Sequence, residues 1–446
     1  MRILLIQSYL GRLEPPVVPL GLLAIAASLK NHTARVFDPN VCDNPFKATT
    51  AILDEYRPEV IGLSLRNIDT TKYSDQFLYF EHFANYAAFL KRQYPTAALI
   101  VGGSGFSLFP EQIMQAVPEI DVGCYLEAEQ TFSAYLAAGE ADSAVKGLYL
   151  RGKQGDLLFT GMPDLLDFDQ IPAPSWNALD LTPYLEHVQK ASIGVETKRG
   201  CALSCAYCTY PALSGKEVRL KSPERVIEEL RILKSRNVER VFFCDPVFNH
   251  PVEHAAEICR LLIEADFDIR WGAYHQDRFL TADYIELALR AGCDEFYMSP
   301  DAASAEGLKI LGKATTTQSL ERSLELIAQQ GSAKASYNFF ATVPATGWEN
   351  TLAAIKFLRK AKQRLGSRFI RWKLSYIRIE PNTSLERYLD TPSGVRDLAK
   401  ILPRKQGQLH RLFLRKSRSF WLNLVLFLHY YWGKNFGRKN LLRKGR

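Results

Sequence analysis

Short apolar runs alternate along the chain with longer stretches in which apolar residues recur every three or four positions, and the alternation restarts midway. Between residues 2 and 139 the short runs are RILLIQ, ARVF, EVIGLSL, ALIVGG and IDVGCYL, set apart by PLGLLAIAASLK and by a long helical pattern reaching Tyr94. The first kind of run suits a buried strand, the second an amphipathic helix. Strand and helix in turn build parallel βαβ units, here about five, and hence a doubly wound, Rossmann-like sheet over residues 1–145. Ligands of such a sheet lie beyond the carboxyl ends of its strands. Three of those ends carry suggestive residues: Arg66 and Asn67 after EVIGLSL, Gly102, Gly103, Ser104 and Gly105 after ALIV, and Glu127 with Glu129 after IDVGCYL.

The stretch 146–190 contains IPAPSWNALD, has no clear period and reads as a linker. A second alternation fills 191–390, with strands expected near 191–197, 240–245, 268–274, 294–299, 334–341 and 370–379. Among the helical patterns between them is SPERVIEELRILKSR, with Ser222 as N-cap and Pro223 in the first turn. Six βα repeats fall two short of a full barrel, so a partial (β/α)6 barrel is expected, with its active site at the C-terminal ends of the strands. The first of those strands runs directly into ETKRGCALSCAYCTYP.

Composition narrows the class. Of 446 residues, 47% are apolar and 23% charged, a globular balance that excludes a disordered chain. The N-terminus lacks a signal-peptide apolar region, and eight cysteines are too few for a disulfide framework in a chain this long. A reducing, cytoplasmic setting is expected. Charge is uneven: from Arg396 onward 14 Lys/Arg face one acid, Asp397, so the end of the chain carries +13 and the rest −5. The basic character belongs to the extension 391–446, which reads as helical.

Cys201, Cys205 and Cys208 crowd one loop, at a spacing that brings three thiolates to one centre only if the loop folds back. Three such ligands leave one iron of a 4Fe-4S cluster open; a zinc site lacking its fourth ligand and three structural cysteines are the alternatives. The CxxxCxxC loop, with the aromatic Tyr207 before its last cysteine, resembles the signature of radical S-adenosylmethionine (SAM) enzymes, and the resemblance spans about 191–390. It implies that the open iron chelates the methionine moiety of SAM and that an electron from the cluster yields a 5′-deoxyadenosyl radical. A reductant such as flavodoxin or ferredoxin would supply that electron. Catalysis then rests on the three cysteines. FFCDPVFN matches the family's second-strand motif and makes Asp245 a candidate near the substrate or the methionine amine. SPDAAS places Asp301 where the family carries Glu, one methylene longer; capping of the helix near Ser304 is its structural alternative.

The doubly wound domain ahead of the barrel resembles the cobalamin-binding branch of that family, on the segments GLSLRNIDTT, VGGSGFSLFPEQI and YLEAEQTF. The resemblance implies cobalamin as a further cofactor, with the Gly102–Gly105 turn and Glu127 among its contacts. The loop after the first strand, QSYLGRLEPP, has no histidine to serve as a lower cobalt ligand. Arg66 would approach that lower face instead, and an arginine does not coordinate cobalt. A surface pairing of Arg66 with Asp69 is the alternative. RNA methylthiotransferases share the barrel but hold a second cluster on three N-terminal cysteines, whereas only Cys42 and Cys124 precede the barrel here.

The expected function is a cobalamin-dependent radical SAM methyltransferase acting on an inert carbon or similar atom of a small molecule, peptide or lipid. A ring rearrangement or oxidation without methyl transfer, and a non-catalytic cluster-bearing partner protein, are the rivals. In the extension, SFWLNLVLFLHYYWG is flanked by Arg415, Lys416, Arg418 and by Lys434, Arg438, Lys439. It is too short to span a bilayer, and either lies at a membrane surface or docks over the barrel. No nucleic-acid module is visible.

Overall fold

The computed structural model describes residues 1–73, 75–138, 144–186, 193–388, 402–414, 419–425 and 428. Its first sheet contains β1 (Arg2–Gln7), β2 (Thr33–Phe37), β3 (Val60–Ser64), β4 (Ala98–Gly102), β5 (Val122–Cys124), β6 (Leu148–Arg151) and β7 (Leu157–Phe159), in the order β2-β1-β3-β4-β5-β6-β7. The first five strands are parallel, with Leu5 beside Gly62 and Leu63 beside Val101. Helices cover both faces, which is why RILLIQ is apolar almost throughout. Ile3 and Leu5 face a core with Leu22 and Leu23 of the helix Leu20–Ser28, whereas Leu4 and Ile6 face Phe83, Tyr86 and Leu90 of the helix Tyr79–Gln93. Each such fully buried side chain contributes about 1.5–3 kcal/mol.

The segment expected as a linker from residue 146 begins differently. β5, β6 and β7 pair antiparallel, so a hairpin extends the sheet at its edge. Its strands are only four and three residues long, too short for a period to show, and Tyr149 stacks on Phe159 at 4.6 Å. Farther on, Trp176 is buried in the first core.

The second sheet comprises β8 (Gly194–Val195), β11 (Arg240–Phe243), β12 (Arg270–His275), β13 (Cys293–Asp301), β14 (Ala335–Thr342), β15 (Phe369–Arg378) and β16 (Phe413–Leu414); a separate hairpin is made of β9 (Lys198–Arg199) and β10 (Arg219–Leu220). The order is β16-β15-β14-β13-β12-β11-β8, six parallel strands with β16 antiparallel at the edge. This is the partial (β/α)6 barrel. The helix Pro223–Ser235 starts at Ser222 with proline in its first turn, as its sequence requires. Val241, Phe243, Trp271, Ala273, Phe296, Tyr337 and Phe339 pack outward against the helices. The alternate residues face the lumen.

The two domains are joined by buried contacts. Arg378 at the end of β15 donates to Asp69 at 2.8 Å, with Tyr73 edge-on to Tyr376 at 4.5 Å, and Tyr184 donates to Asp38 at 2.8 Å. Asp69 is therefore paired with Arg378, not with Arg66. Most of the helical reading of 391–446 falls outside the described residues. Within them, Leu402, Leu409 and Leu412 pack with Ile377 and Ile379. Among the described residues no helix is long and apolar enough to cross a membrane.

Candidate functional site

The cysteine loop is held at both ends and in its middle. Cys201 N donates to Gly215 O at 3.1 Å, Ala206 N to Leu311 O at 2.8 Å, and Cys208 N to Cys205 O at 3.1 Å. Gly200 enters the loop at φ +83°, and a Cβ there would lie 1.7 Å from the Glu217 carbonyl oxygen, so only glycine lets β9 and β10 pinch the loop shut. All three thiols are free. Burial raises those of Cys201 and Cys205, and pushes Cys208 up to about 11. Beyond burial, Cys205 raises Cys201 and, with Cys201, raises Cys208, while Lys313 opposes the rise in all three.

Among the described residues, no three Cys, His, Asp or Glu side chains converge as they would on one metal ion. A tetrahedral ion needs its sulfurs about 3.8 Å apart, given metal–sulfur bonds near 2.3 Å. A cubane cluster spreads three thiolates over three irons, which suits cysteines spaced along a loop. The donor set thus fits a 4Fe-4S cluster better than a single ion, and ligation has to displace three protons, from one buried and two half-buried thiols.

Asp301 ends β13 at φ +66°, unusual for a residue with a side chain. Its carboxylate accepts from Tyr207 Oη and, at 2.9 Å, from Lys313 Nζ, which also donates to Tyr207 Oη at 3.2 Å and to Ser299 O at 2.9 Å. Burial alone would lower the Lys313 ammonium, but the Asp301 carboxylate and then Cys205 raise it. The structure thus unites the expected Tyr207 and Asp301 and adds a lysine that the sequence does not flag. Ser304 caps its helix itself, accepting from Gly307 N, so the capping role does not fall to Asp301.

Asp245 follows β11 and is buried, accepting from Thr197 N at 2.8 Å and Thr197 Oγ1 at 2.6 Å. It staples β11 to the strand feeding the cysteine loop. Its neighbour Cys244 is open to solvent beside Glu196 and Tyr210.

In the first domain a cavity of about 230 Å³ opens at the strand ends, lined by Leu5, Gly62, Ile100, Gly102, Gly103 and Glu129 among others. Its largely apolar lining draws on β1, β3 and β4, the strand ends at which a doubly wound sheet binds its ligand, and could take part of a cobalamin. The glycine turn also packs on its neighbour: Gly105 N donates to Leu65 O at 2.9 Å, Ser104 Oγ to Arg66 O at 2.7 Å, and a Cβ on Gly103, at φ +100°, would come within 2.6 Å of Leu65 O. The turn therefore fixes Arg66 and Asn67. Water reaches Arg66, yet protein surrounds it and lowers its guanidinium pKa, against the charges of Tyr79, Cys244 and Glu14. It lines a second cavity, of about 300 Å³, with Asn67, Lys72, Asp38 and Tyr79.

Glu127 does not stand free. Arg219 grips it with two hydrogen bonds, at 2.8 and 2.6 Å, and Arg199 lies 3.9 Å away. Arg199 also pairs with Glu129 at 2.7 Å and Glu196 at 2.9 Å. Burial would lower Arg199, but Glu196, Glu129 and Glu127 raise it well above the usual arginine range. Two arginines of the barrel hairpin thus clamp two glutamates of the first domain. Arg199 stands two residues before Cys201, the one sequence signal that could have singled it out.

Comparison with known proteins agrees with this architecture. The radical SAM superfamily model matches residues 195–365 and the B12 binding domain model residues 6–136. An uncharacterized methyltransferase of Pyrococcus horikoshii is 26% identical over 349 residues, covering 77% of this chain and 73% of that protein. The hopanoid C-3 methylase of Methylococcus capsulatus is 24% identical over 329 residues, 70% of this chain and 59% of that one. Among solved structures, the radical SAM methyltransferase TsrM of Kitasatospora setae, with tryptophan and a SAM analog bound, superimposes with a TM-score of 0.74 at 18% identity, covering 86% of this chain and 75% of that chain.

Proposed function

Because this chain belongs to the radical SAM enzymes that carry a B12-binding domain, we propose that it is a cobalamin-dependent methyltransferase acting on an inert carbon, or similarly unreactive atom, of a small molecule, peptide or lipid. The observation that carries this reading is that the segments flanking the cysteine loop, Glu196 and Arg199 before it and Leu213 and Ser214 after it, share the wall of the first domain's cavity, joined by the clamp of Arg199 and Arg219 on Glu127 and Glu129. When bound, the cluster supplies the electron that cleaves SAM and cobalamin carries the methyl group.

The protein's own residues position and enclose. Cys201, Cys205 and Cys208 would hold the cluster, and Lys313 places a positive charge beside their sulfurs. Tyr207 and Asp301, tied to Lys313, fix the loop above the lumen. Asp245 acts at one remove, through Thr197, so we assign it a positioning role. Gly102, Gly103, Ser104, Gly105 and Asn67 shape the first domain's strand ends, and Arg66, whose guanidinium cannot coordinate a metal, lines the cavity there with Asn67. A low-potential reductant such as flavodoxin or ferredoxin would serve the cluster. The test is conversion of SAM to S-adenosylhomocysteine by protein holding both cofactors.

A specific observation favours contact with a membrane surface. Phe420 is 71% exposed, Trp421 67% and Trp372 55%. They lie beside an apolar groove of about 640 Å³ lined by Trp348, Trp372, Leu374, Leu422 and Val425 and rimmed by Arg359 and Lys362. Exposed aromatics beside cations, in an extension of charge +13, suit an anionic headgroup layer. The similar hopanoid methylase makes a lipid acceptor consistent with that face.

A further inference from the structure

We propose that Lys313 sets the reduction potential of the cluster site, its buried ammonium making an added electron there easier to hold. This rests on the reading of Cys201, Cys205 and Cys208 as the cluster's ligands.

Backbone contacts carry Lys313 to the cysteine loop. Lys313 follows the helix Ala305–Ile310, its N–H donating to Leu308 O at 3.0 Å, and the chain turns at Gly312 with φ +60°. A Cβ on Gly312 would lie 2.5 Å from Ser204 O, and Ala206 N donates to Leu311 O at 2.8 Å. Residues 311–313 are thus packed directly on residues 204–206, and glycine is what permits the approach. The Lys313 side chain, 6% exposed, then reaches Tyr207, which stands immediately before Cys208 and two residues after Cys205.

An ammonium has three N–H groups. Here they meet Asp301 at 2.9 Å, Ser299 O at 2.9 Å and Tyr207 Oη at 3.2 Å. No donor is left over for SAM or for an acceptor, so Lys313 acts through its charge. Three thiolates make the cluster site anionic, and one-electron reduction adds a further negative charge. A fixed cation in a poorly solvated place favours the more negative form.

Asp301, beside the ammonium, works the other way. The cation prevails at the sulfurs. Burial comes first in raising all three thiols; Lys313 opposes that rise at each of them, and at Cys205 it acts more strongly than Asp301 does. Replacing Lys313 by Met therefore has one sign in either case. If Asp301 stays ionised, the loop faces an unpaired carboxylate; if Asp301 takes up a proton, both charges vanish and the larger influence lost is that of the ammonium.

The test is a redox titration of full-length, anaerobically reconstituted protein without SAM, followed by electron paramagnetic resonance of the reduced cluster, with iron counted in every variant. Lys313→Met should lower the equilibrium constant for one-electron reduction about tenfold or more, a midpoint about 59 mV lower. Lys313→Arg, which keeps the charge, should stay near the wild-type midpoint, and Asp301→Asn should raise it. A Lys313→Met midpoint equal to wild type at full iron content overturns the proposal, as does Lys313→Arg falling as far as Lys313→Met, the behaviour of a purely structural lysine. Where Lys313→Met holds no iron, Asp301→Asn decides: a raised midpoint supports the proposal, and an unchanged or lowered one overturns it. Wild-type protein that takes up no iron rejects the cluster reading itself, whereas full iron with one midpoint throughout rejects this inference alone.

Discussion

Arg199 and Glu129 meet across the domain boundary at 2.7 Å, both nearly closed to solvent, two residues before the first cysteine of the loop. Arg199→Met would leave the buried Glu129 without its cation, beside Glu196 and beside the Glu127 that Arg219 still holds. Removing one partner of a buried ion pair costs about 3–5 kcal/mol, and that loss is expected here. Glu129→Gln should lose less, because Glu196 remains 2.9 Å from the guanidinium. Denaturant midpoints of the cofactor-free protein measure both. A loss below about 1 kcal/mol for Arg199→Met would be the behaviour of a surface pair and would remove the clamp from the account.

Acid sensitivity should come from a buried histidine. The His254 ring hydrogen-bonds to Lys221 O at 2.7 Å, and its pKa is pushed down to about 4, chiefly by burial and next by the Lys198 charge. The unfolded chain takes up this proton near pH 6.5, whereas the folded one does not until about pH 4. The stability is therefore fully present above pH 6.5 and is lost as pH falls from there through about 4, by about 3 kcal/mol at most. His275, lowered to about 3 by burial, acts over the same range, so His254→Gln should remove only its own share of that slope. An unchanged slope would mean that His254 is protonated in the folded protein.

Cobalamin bound to this chain should have no protein nitrogen below the cobalt. The loop Ser8–Pro16 holds no histidine, and Arg66, which lines the same cavity as that loop, offers no nitrogen that could coordinate. Electron paramagnetic resonance of the reduced, Co(II) form should lack splitting from an axial nitrogen. Such splitting would contradict the placement of Arg66.

Much of this architecture is legible in the residues because burial on both faces forces continuous apolar runs. The strand expected near 240–245 is observed at Arg240–Phe243, and that near 334–341 at Ala335–Thr342. The hairpin Leu148–Phe159 and the two-residue β16 were not legible, since runs so short carry no period. Within the site, Tyr207 and Asp301 stood out by motif, but Lys313 did not: its pairing spans 106 residues to Tyr207 and depends on the left-handed turn of Asp301. Glu127 was flagged as a cofactor contact, yet its carboxylate is held by Arg219, which a linear reading cannot foresee across 92 residues.

The exposed apolar face makes a prediction about lipid. Binding to anionic vesicles should fall steeply with salt, because each Lys/Arg at the surface contributes about 1 kcal/mol that screening removes. Truncation after Leu414, which keeps β16 and the buried Leu409 and Leu412, should abolish it. If the truncated chain instead aggregates, and the intact protein never binds vesicles, the face of Phe420 and Trp421 covers the barrel.

The central claim is methyl transfer from SAM by way of cobalamin, in an enzyme whose cluster Cys201, Cys205 and Cys208 would hold. Its most direct test is to incubate anaerobically reconstituted protein, with cobalamin and a strong reductant, and to quantify S-adenosylhomocysteine. The wild type should hold about four irons and form the product only when cobalamin is present; Cys205→Ala should lose both iron and product. Formation of 5′-deoxyadenosine alone, with no S-adenosylhomocysteine from protein carrying both cofactors, would contradict the account and leave a radical reaction without methyl transfer.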